Sequence, residues 1–256
     1  MNSLLSFAKL AYLNVSFYVL LIVFSSIYIP IISLLVMAST LVVSRRVTMR
    51  MFRRGISVYG YIVVRILPFP LIRIRYRNYQ TTDLNEPSIF ICNHVSVSDP
   101  FLIGLLPGEN IMVVNIWPLR LPLYGRYARW LGFLSIREMP FEEFDQRARL
   151  LLDEGVSIIA WPEGTRTRTG EIGQFHGALF RVALATRAPI VPLSFHGNER
   201  MPSIGSLVLH PGTIRVHQLP AIRWQEYRHL SHLQLKNKTR DILRAELLRI
   251  EKEKVE

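Results

Sequence analysis

At 256 residues the chain is long enough for one main domain with an appendage and a sizeable core, and half of its residues are hydrophobic. Lysine and arginine outnumber aspartate and glutamate by 31 to 19, for a formal net charge of +12. No zinc-ligand spacing or internal repeat points to a nucleic-acid module, and the single cysteine, Cys92, excludes an internal disulfide and suits a reducing compartment.

The apolar excess is concentrated at the start. From Leu10 to Ser44, 35 positions between Lys9 and Arg45, there is no charged residue. A signal peptide has an apolar core of only about 7–15 residues, so this run reads as retained. One straight helix of that length would reach roughly 52 Å, against a hydrocarbon core of about 30 Å. Pro30 lies near the middle, where a helix kinks or breaks. The expectation is a helical hairpin that dips into the membrane and returns, with one tilted, kinked span as the alternative. Arg45, Arg46, Arg50, Arg53 and Arg54 follow at once. Such a cluster marks the cytoplasmic side and attracts anionic lipid head groups.

Beyond it, Ile56 to Leu67 reads as an amphipathic connector. Leu71 to Tyr76 alternates apolar and basic residues, the period of a strand. Strands are also expected at Ser88–Cys92, Ile111–Val114, Val156–Trp161, Ile190–Phe195 and Thr213–His217. Helices are expected from Asp99-Pro100 (Asp99 as the cap), over Phe141–Glu154 with Gly155 as the stop, over Gly177–Arg187, and from His232 as a charged tail with a solvated face. Alternating strands and helices predict an α/β fold, a mixed and largely parallel sheet flanked by helices.

Two segments carry candidate chemistry. The first is Asn93-His94-Val95-Ser96-Val97-Ser98-Asp99-Pro100. Five steps along a helix turn about 500°, so His94 and Asp99 would meet only across a turn. The strand ending at Cys92 and the helix starting at Pro100 supply one. A histidine oriented by a carboxylate is what a general base needs. The plainer reading makes Asp99 only a helix cap and His94 an ordinary turn residue. The second segment is Trp161-Pro162-Glu163-Gly164-Thr165-Arg166, after a buried strand, where α/β domains place ligand loops. Gly164 lets backbone approach a bound group, while Glu163 and Arg166 offer opposite charges. The plainer reading is a solvated turn with a surface ion pair.

Together, in this order, the two segments resemble the lysophospholipid acyltransferase family, typified by 1-acylglycerol-3-phosphate acyltransferase. That family carries N-H-x-x-x-x-D and, about 70 residues later, F-P-E-G-T-R. Here Asn93-His94 through Asp99 matches, as does Pro162 through Arg166, with Trp161 in place of the usual Phe. Pro189-Ile190-Val191-Pro192 looks like the family's fourth block, and the resemblance runs from Pro87 to Ala221. It implies a membrane hairpin and basic juxtamembrane segment over 1–54 and an acyltransferase α/β domain over 55–256.

It also implies a membrane-bound enzyme that moves a fatty acyl group from acyl-CoA or acyl carrier protein to a lysolipid hydroxyl. The default acceptor is 1-acylglycerol-3-phosphate, giving phosphatidic acid. His94 and Asp99 would be catalytic. Asn93, Glu163, Gly164, Thr165, Arg166 and Arg137 would form the substrate site, and backbone N–H groups near Gly164 and Thr165 would stabilise the oxyanion. No metal or bound cofactor is implied. The expected partners are a membrane lipid acceptor, an anionic lipid surface and the acyl carrier, with no nucleic acid. The expected location is a membrane with the catalytic domain on its cytoplasmic face, of bacterial inner-membrane type.

Three positions depart from the family pattern. Asn115 stands where Lys is common, ahead of Leu121-Pro122-Leu123-Tyr124-Gly125. Gly132 is followed by Arg137 at five positions and Glu138 at six, where the family has Arg at six. Phe175-His176-Gly177-Ala178 replaces Phe-Lys-x-Gly. Each change removes or displaces a cation from a phosphate site, although Arg120, Arg126, Arg129 and Arg137 are nearby in sequence. The alternative acceptor is therefore another lysolipid, such as a lyso-aminolipid. A thioesterase using the same residues on water, and a non-catalytic membrane-surface protein, are the rival functions. His196, His210, His217, His229 and His232 read as surface or packing residues, and Trp117, Trp130 and Trp161 as core or interface residues.

Overall fold

The computed structural model describes residues 2–81, 84, 86–115, 119–120, 122–135, 137–167 and 171–253. Trp117 and Leu121 lie outside the described residues. The chain divides into two compact units. One comprises Met1–Arg75, Ser96–Pro107 and Gly197–Arg215; the other comprises Tyr76–Val95, Gly108–His196 and Val216–Glu256.

The first unit begins with a continuous helix, α1 (Asn2–Ser39), that runs straight through Pro30. The break expected there does not occur. The chain instead turns at 40–44 and returns as α2 (Arg45–Tyr61). A proline in a helix forfeits one hydrogen bond and crowds the preceding turn, but α2 packs along this stretch and braces it. The Tyr28 hydroxyl donates to Gly55 O at 2.8 Å, Ser25 and Tyr59 hydroxyls share a bond of 2.8 Å, and Ser39 Oγ donates to Thr48 Oγ1 at 3.2 Å. The expected connector from Ile56 is the second half of α2, continued by a π-helical turn over Ile62–Ile66. A 3-10 turn, Ile103–Leu105, comes so close to α2 that a Cβ on Gly104 would lie 2.4 Å from Ser57 O. Only glycine fits there. Among the described residues α1 is the one helix long and apolar enough to cross a membrane.

A six-stranded sheet is formed by β1 (Ile72–Asn78), β2 (Ile89–Cys92), β3 (Glu109–Met112), β4 (Val156–Ala160), β5 (Ile190–His196) and β6 (Gly212–Gln218), in the order β1-β6-β5-β2-β4-β3. In the second unit β2 pairs parallel with β4 and with β5, and β3 pairs parallel with β4, setting Ile89 opposite both Ile158 and Ile190. Both β2 and β5 are buried along their whole length, as expected of parallel strands covered on both faces. The intervening helices are α3 (Asp99–Leu102), α4 (Pro122–Leu131), α5 (Phe141–Asp153), α6 (Ala178–Thr186) and α7 (Trp224–Tyr227). α5 buries Phe144, Ala148, Leu151 and Leu152, one face at helical period, and Gly155 at φ 84° ends it.

The tail folds as α8 (His232–Lys252), begun by a capping box between Ser231 and Gln234. It is not solvated all round. Leu235, Thr239, Leu243, Glu246 and Ile250 are buried, at spacings of three and four that define one stripe. Glu246 is the charged member of that stripe. Its Oε1 accepts from Nδ1 of buried His217 at 2.5 Å and from Arg249 at 2.7 Å, and its Oε2 accepts from Arg249 Nε at 2.8 Å. Burial by itself would raise this carboxyl, but the bonds from Arg249 and His217 win and hold it below the ordinary carboxylate value. A depressed folded-state pKa gives stability that is present above the unfolded pKa and lost as pH falls through the folded one. Glu246→Gln, followed by urea unfolding, is expected to cost about 3 kcal/mol near neutral pH. The difference from the parent chain should shrink as the pH drops below the carboxylate range.

Candidate active site

In the second unit the site is built at the carboxyl ends of β2 and β4. The last residue of β2, Cys92, stands opposite Leu193 of β5. Asn93 then uses its side chain as a strand would use its backbone. Its Nδ2 donates to Phe195 O at 2.9 Å, and Phe195 N donates to its Oδ1 at 2.7 Å. Asn93 is buried and both ends of its amide are bonded to Phe195, so its place in the site is that of a clamp that fixes the strand end. His94 follows at once, partly buried.

Both backbone groups of His94 are tied to the second motif. Its N–H donates to Glu163 Oε1 at 2.9 Å, and its carbonyl accepts from Thr167 N at 2.9 Å. Glu163 Oε2 accepts from Gly173 N at 2.9 Å. One carboxylate therefore joins three stretches of chain. The His94 ring lies 5.5 Å from the Trp161 ring, tilted by 40°. The Glu163 turn itself is closed by Gly164 N donating to Trp161 O at 3.0 Å, with Gly164 at φ 70°. A side chain there would be strained by the backbone and would also approach His176 Nε2 to 3.1 Å. The Gly164 N–H is thus engaged within the turn, and Thr165 beside it is exposed. Arg166 lies partly buried on the same turn.

The loop then doubles back. His176 N donates to Pro162 O at 2.8 Å, and Thr167 Oγ1 donates to Glu171 O at 2.7 Å. A cleft of about 500 Å³ is lined by Glu163, Thr165, Thr167, Gly173, Gln174 and His176, with Glu171 and Ile172. His94 is not among the lining residues. Arg137 is exposed in the turn that follows Leu134 and is likewise no part of the lining.

Asp99 belongs to the first unit and is fully buried. The chain from Ser96 to Asp99 is a turn, but Asp99 does not cap α3. Its Oδ2 reaches back to accept from Ser96 N at 3.0 Å, and its Oδ1 accepts from Asn198 Nδ2 at 2.5 Å. Ser98 occupies the cap position, and its hydroxyl donates to Asn198 Oδ1 at 3.0 Å and Met201 O at 2.6 Å. The carboxylate is therefore held rigid by a turn amide and a side-chain amide. Asn198, Gly173 and Thr167 have no motif of their own. The one clue is Gly197, which at φ 85° turns the chain sharply just before Asn198.

With this geometry established, likeness to known proteins becomes informative. Residues 73–196 match the acyltransferase family model. A 1-acyl-sn-glycerol-3-phosphate acyltransferase of Cocos nucifera is 31% identical over 185 residues, 68% of this chain and 58% of the relative. The chloroplastic 1-acyl-sn-glycerol-3-phosphate acyltransferase LPAT1 of Arabidopsis thaliana is 28% identical over 60% of this chain and 44% of its own length. This chain thus spans about half the length of these two curated relatives. A lyso-ornithine lipid O-acyltransferase of Pseudomonas aeruginosa is 31% identical over 43% of each chain. The crystal structure of PlsC, the 1-acyl-sn-glycerophosphate acyltransferase of Thermotoga maritima, shares the fold at a TM-score of 0.77 over 98% of both chains, with 18% identity. The family match and these relatives show that the chain is similar to acyltransferases of the lysophospholipid type, and PlsC shares its fold.

Proposed function

We propose that the protein is a membrane-bound O-acyltransferase that transfers a fatty acyl group from acyl-CoA or acyl carrier protein to the hydroxyl of a lysolipid. The observation that carries this reading is the grip of the second motif on the first. Glu163 and Thr167 hold both backbone groups of His94, so the imidazole is presented from a fixed strand end. In the proposed reaction the imidazole takes the proton of the lysolipid hydroxyl as its oxygen attacks the thioester carbonyl. A C–O bond forms and a tetrahedral oxyanion develops, for which the Thr165 N–H is the candidate donor. The C–S bond then breaks, and the leaving thiolate takes up the proton held by His94. Asp99, braced by Ser96 and Asn198, is the residue proposed to orient the ring and stabilise the imidazolium.

The default acceptor is 1-acylglycerol-3-phosphate, the substrate printed in the names of the coconut and Arabidopsis relatives. A second reading, another lysolipid such as a lyso-aminolipid, is favoured by the cation pattern. Asn115 and His176 stand where cations are expected, His176 lines the cleft, and Arg137 does not. The likeness to a lyso-ornithine lipid acyltransferase points the same way. Membrane attachment is proposed through α1, whose Tyr12, Val15, Val19 and Ile22 are more than half exposed, with the exposed Arg45, Arg46 and Arg54 of α2 facing anionic head groups on the cytoplasmic side.

The purified chain in lysolipid-containing vesicles, assayed for thiol release, is expected to lose activity by on the order of 10³-fold on His94→Ala. Release should largely stop when the lysolipid is omitted, whereas a thioesterase would continue. Retention of more than a tenth of the activity by the variant would count against the proposal. Glu163→Gln keeps the shape but offers only one acceptor oxygen to two backbone N–H groups. Stability should fall by about 1–2 kcal/mol in urea unfolding, and kcat should fall about tenfold with little change in KM, since Glu163 acts by positioning His94.

A further inference from the structure

Nine residues after β5, Met201–Leu209, carry no charge and lie between Arg200 and His210. Within the first unit this segment is keyed to α1. Asn14 is a polar residue inside the apolar stretch of that helix, and an unsatisfied amide there would be costly. It is satisfied by the loop. Asn14 Nδ2 donates to Leu209 O at 2.9 Å as well as to Leu10 O, and Leu209 N donates to Asn14 Oδ1 at 2.8 Å. One helical turn on, the Tyr18 hydroxyl donates to Leu207 O. The tip is closed on itself by Ser206 N donating to Ser203 O at 3.0 Å and Val208 N donating to Ser206 Oγ at 2.9 Å, with Gly205 at φ 80°.

Two features of this tip suit contact with an apolar solvent. Leu207 is 73% exposed and Val208 41% exposed, while Leu209 points inward. The amides of Ser206, Val208 and Leu209 and the carbonyls of Leu207 and Leu209 are all supplied with protein partners. An apolar solvent demands such pairing of the groups it meets. The helix turn to which the loop is bonded buries Leu13 and Phe17 and leaves Tyr12, Val15 and Val19 outward.

We infer that the loop Ser203–Leu209 is a second membrane-contact element, with Leu207 and Val208 entering the bilayer beside α1 and Asn14 fixing their depth. This rests on the proposed membrane attachment of α1. The partner is the lipid surface itself, because the exposed tip is bonded to a helix that carries no charge from Leu10 to its end at Ser39 and exposes Val15, Val19, Ile22 and Val23.

The test uses the full chain in phosphatidylethanolamine and phosphatidylglycerol vesicles. An environment-sensitive nitrobenzoxadiazole probe is attached to Leu207→Cys, to Val23→Cys on α1, or to Leu248→Cys on α8, all exposed positions, while Cys92 is buried. Lipids with doxyl-labelled acyl chains are expected to quench the probe at 207 at least twofold more than at 248, and Asn14→Leu should reduce quenching at 207 but not at 23. Quenching at 23 with 207 equal to 248 overturns the inference and leaves the membrane reading standing. No preferential quenching at 23 or 207 overturns both. Shielding of 207 from aqueous iodide without lipid quenching shows that protein, not lipid, covers the loop, and also overturns the inference.

Discussion

One carboxylate organises the site. Glu163 accepts the N–H of His94 with one oxygen and the N–H of Gly173 with the other, so the end of β2, the turn after β4 and the returning loop share a single anchor. Charge-assisted bonds to backbone amides are shorter and stronger than neutral ones. Their geometry also leaves little freedom to the histidine backbone. The glutamate of the second motif therefore supports the histidine as well as shaping the cleft, which explains why two segments about 70 residues apart in sequence act as one unit. Asn93 adds to this by extending the pairing of β2 and β5 beyond the last regular rung.

The apolar N-terminal arm and the loop at Ser203–Leu209 follow the same logic with a different solvent. Long stretches of α1 have an outward face that no part of the first unit covers. Its inward polar groups are each matched: Asn14 and Tyr18 by the loop, Ser25, Tyr28 and Ser39 by α2. A helix whose exposed face is mainly apolar and whose inward polar groups are bonded to protein is suited to a lipid environment.

Much of the frame was legible in the residues. β1 announces itself by its alternation, β2 and β4 by short apolar runs, and α5 by Gly155 placed after it as the stop. The continuous α1 was not legible, because Pro30 argues locally for a break while the bracing comes from α2, whose Gly55 meets Tyr28 from 27 positions further along the chain. Asp99 looked like a cap because aspartate before proline usually is one. Its real partners include Asn198, almost one hundred residues away, and no local pattern encodes such a bond. Glu246 looked solvated in a tail of alternating charges. Only the stripe formed with Leu243 and Ile250, and a histidine on β6, show it to be buried. Of the site, the motif residues could be named from sequence. The sharing of Glu163 between two amides could not, since Gly173 is an unremarkable loop residue until the chain folds.

The fate of the acyl chain decides whether the protein is a transferase. The purified protein would be given an isotopically labelled acyl thioester, on coenzyme A or carrier protein, and vesicles holding a mixture of lysolipids, and the lipids would be analysed by mass spectrometry. The prediction is labelled chain in ester linkage to a lysolipid, formed in step with free thiol. Label recovered as free fatty acid, or left on the carrier, would contradict it.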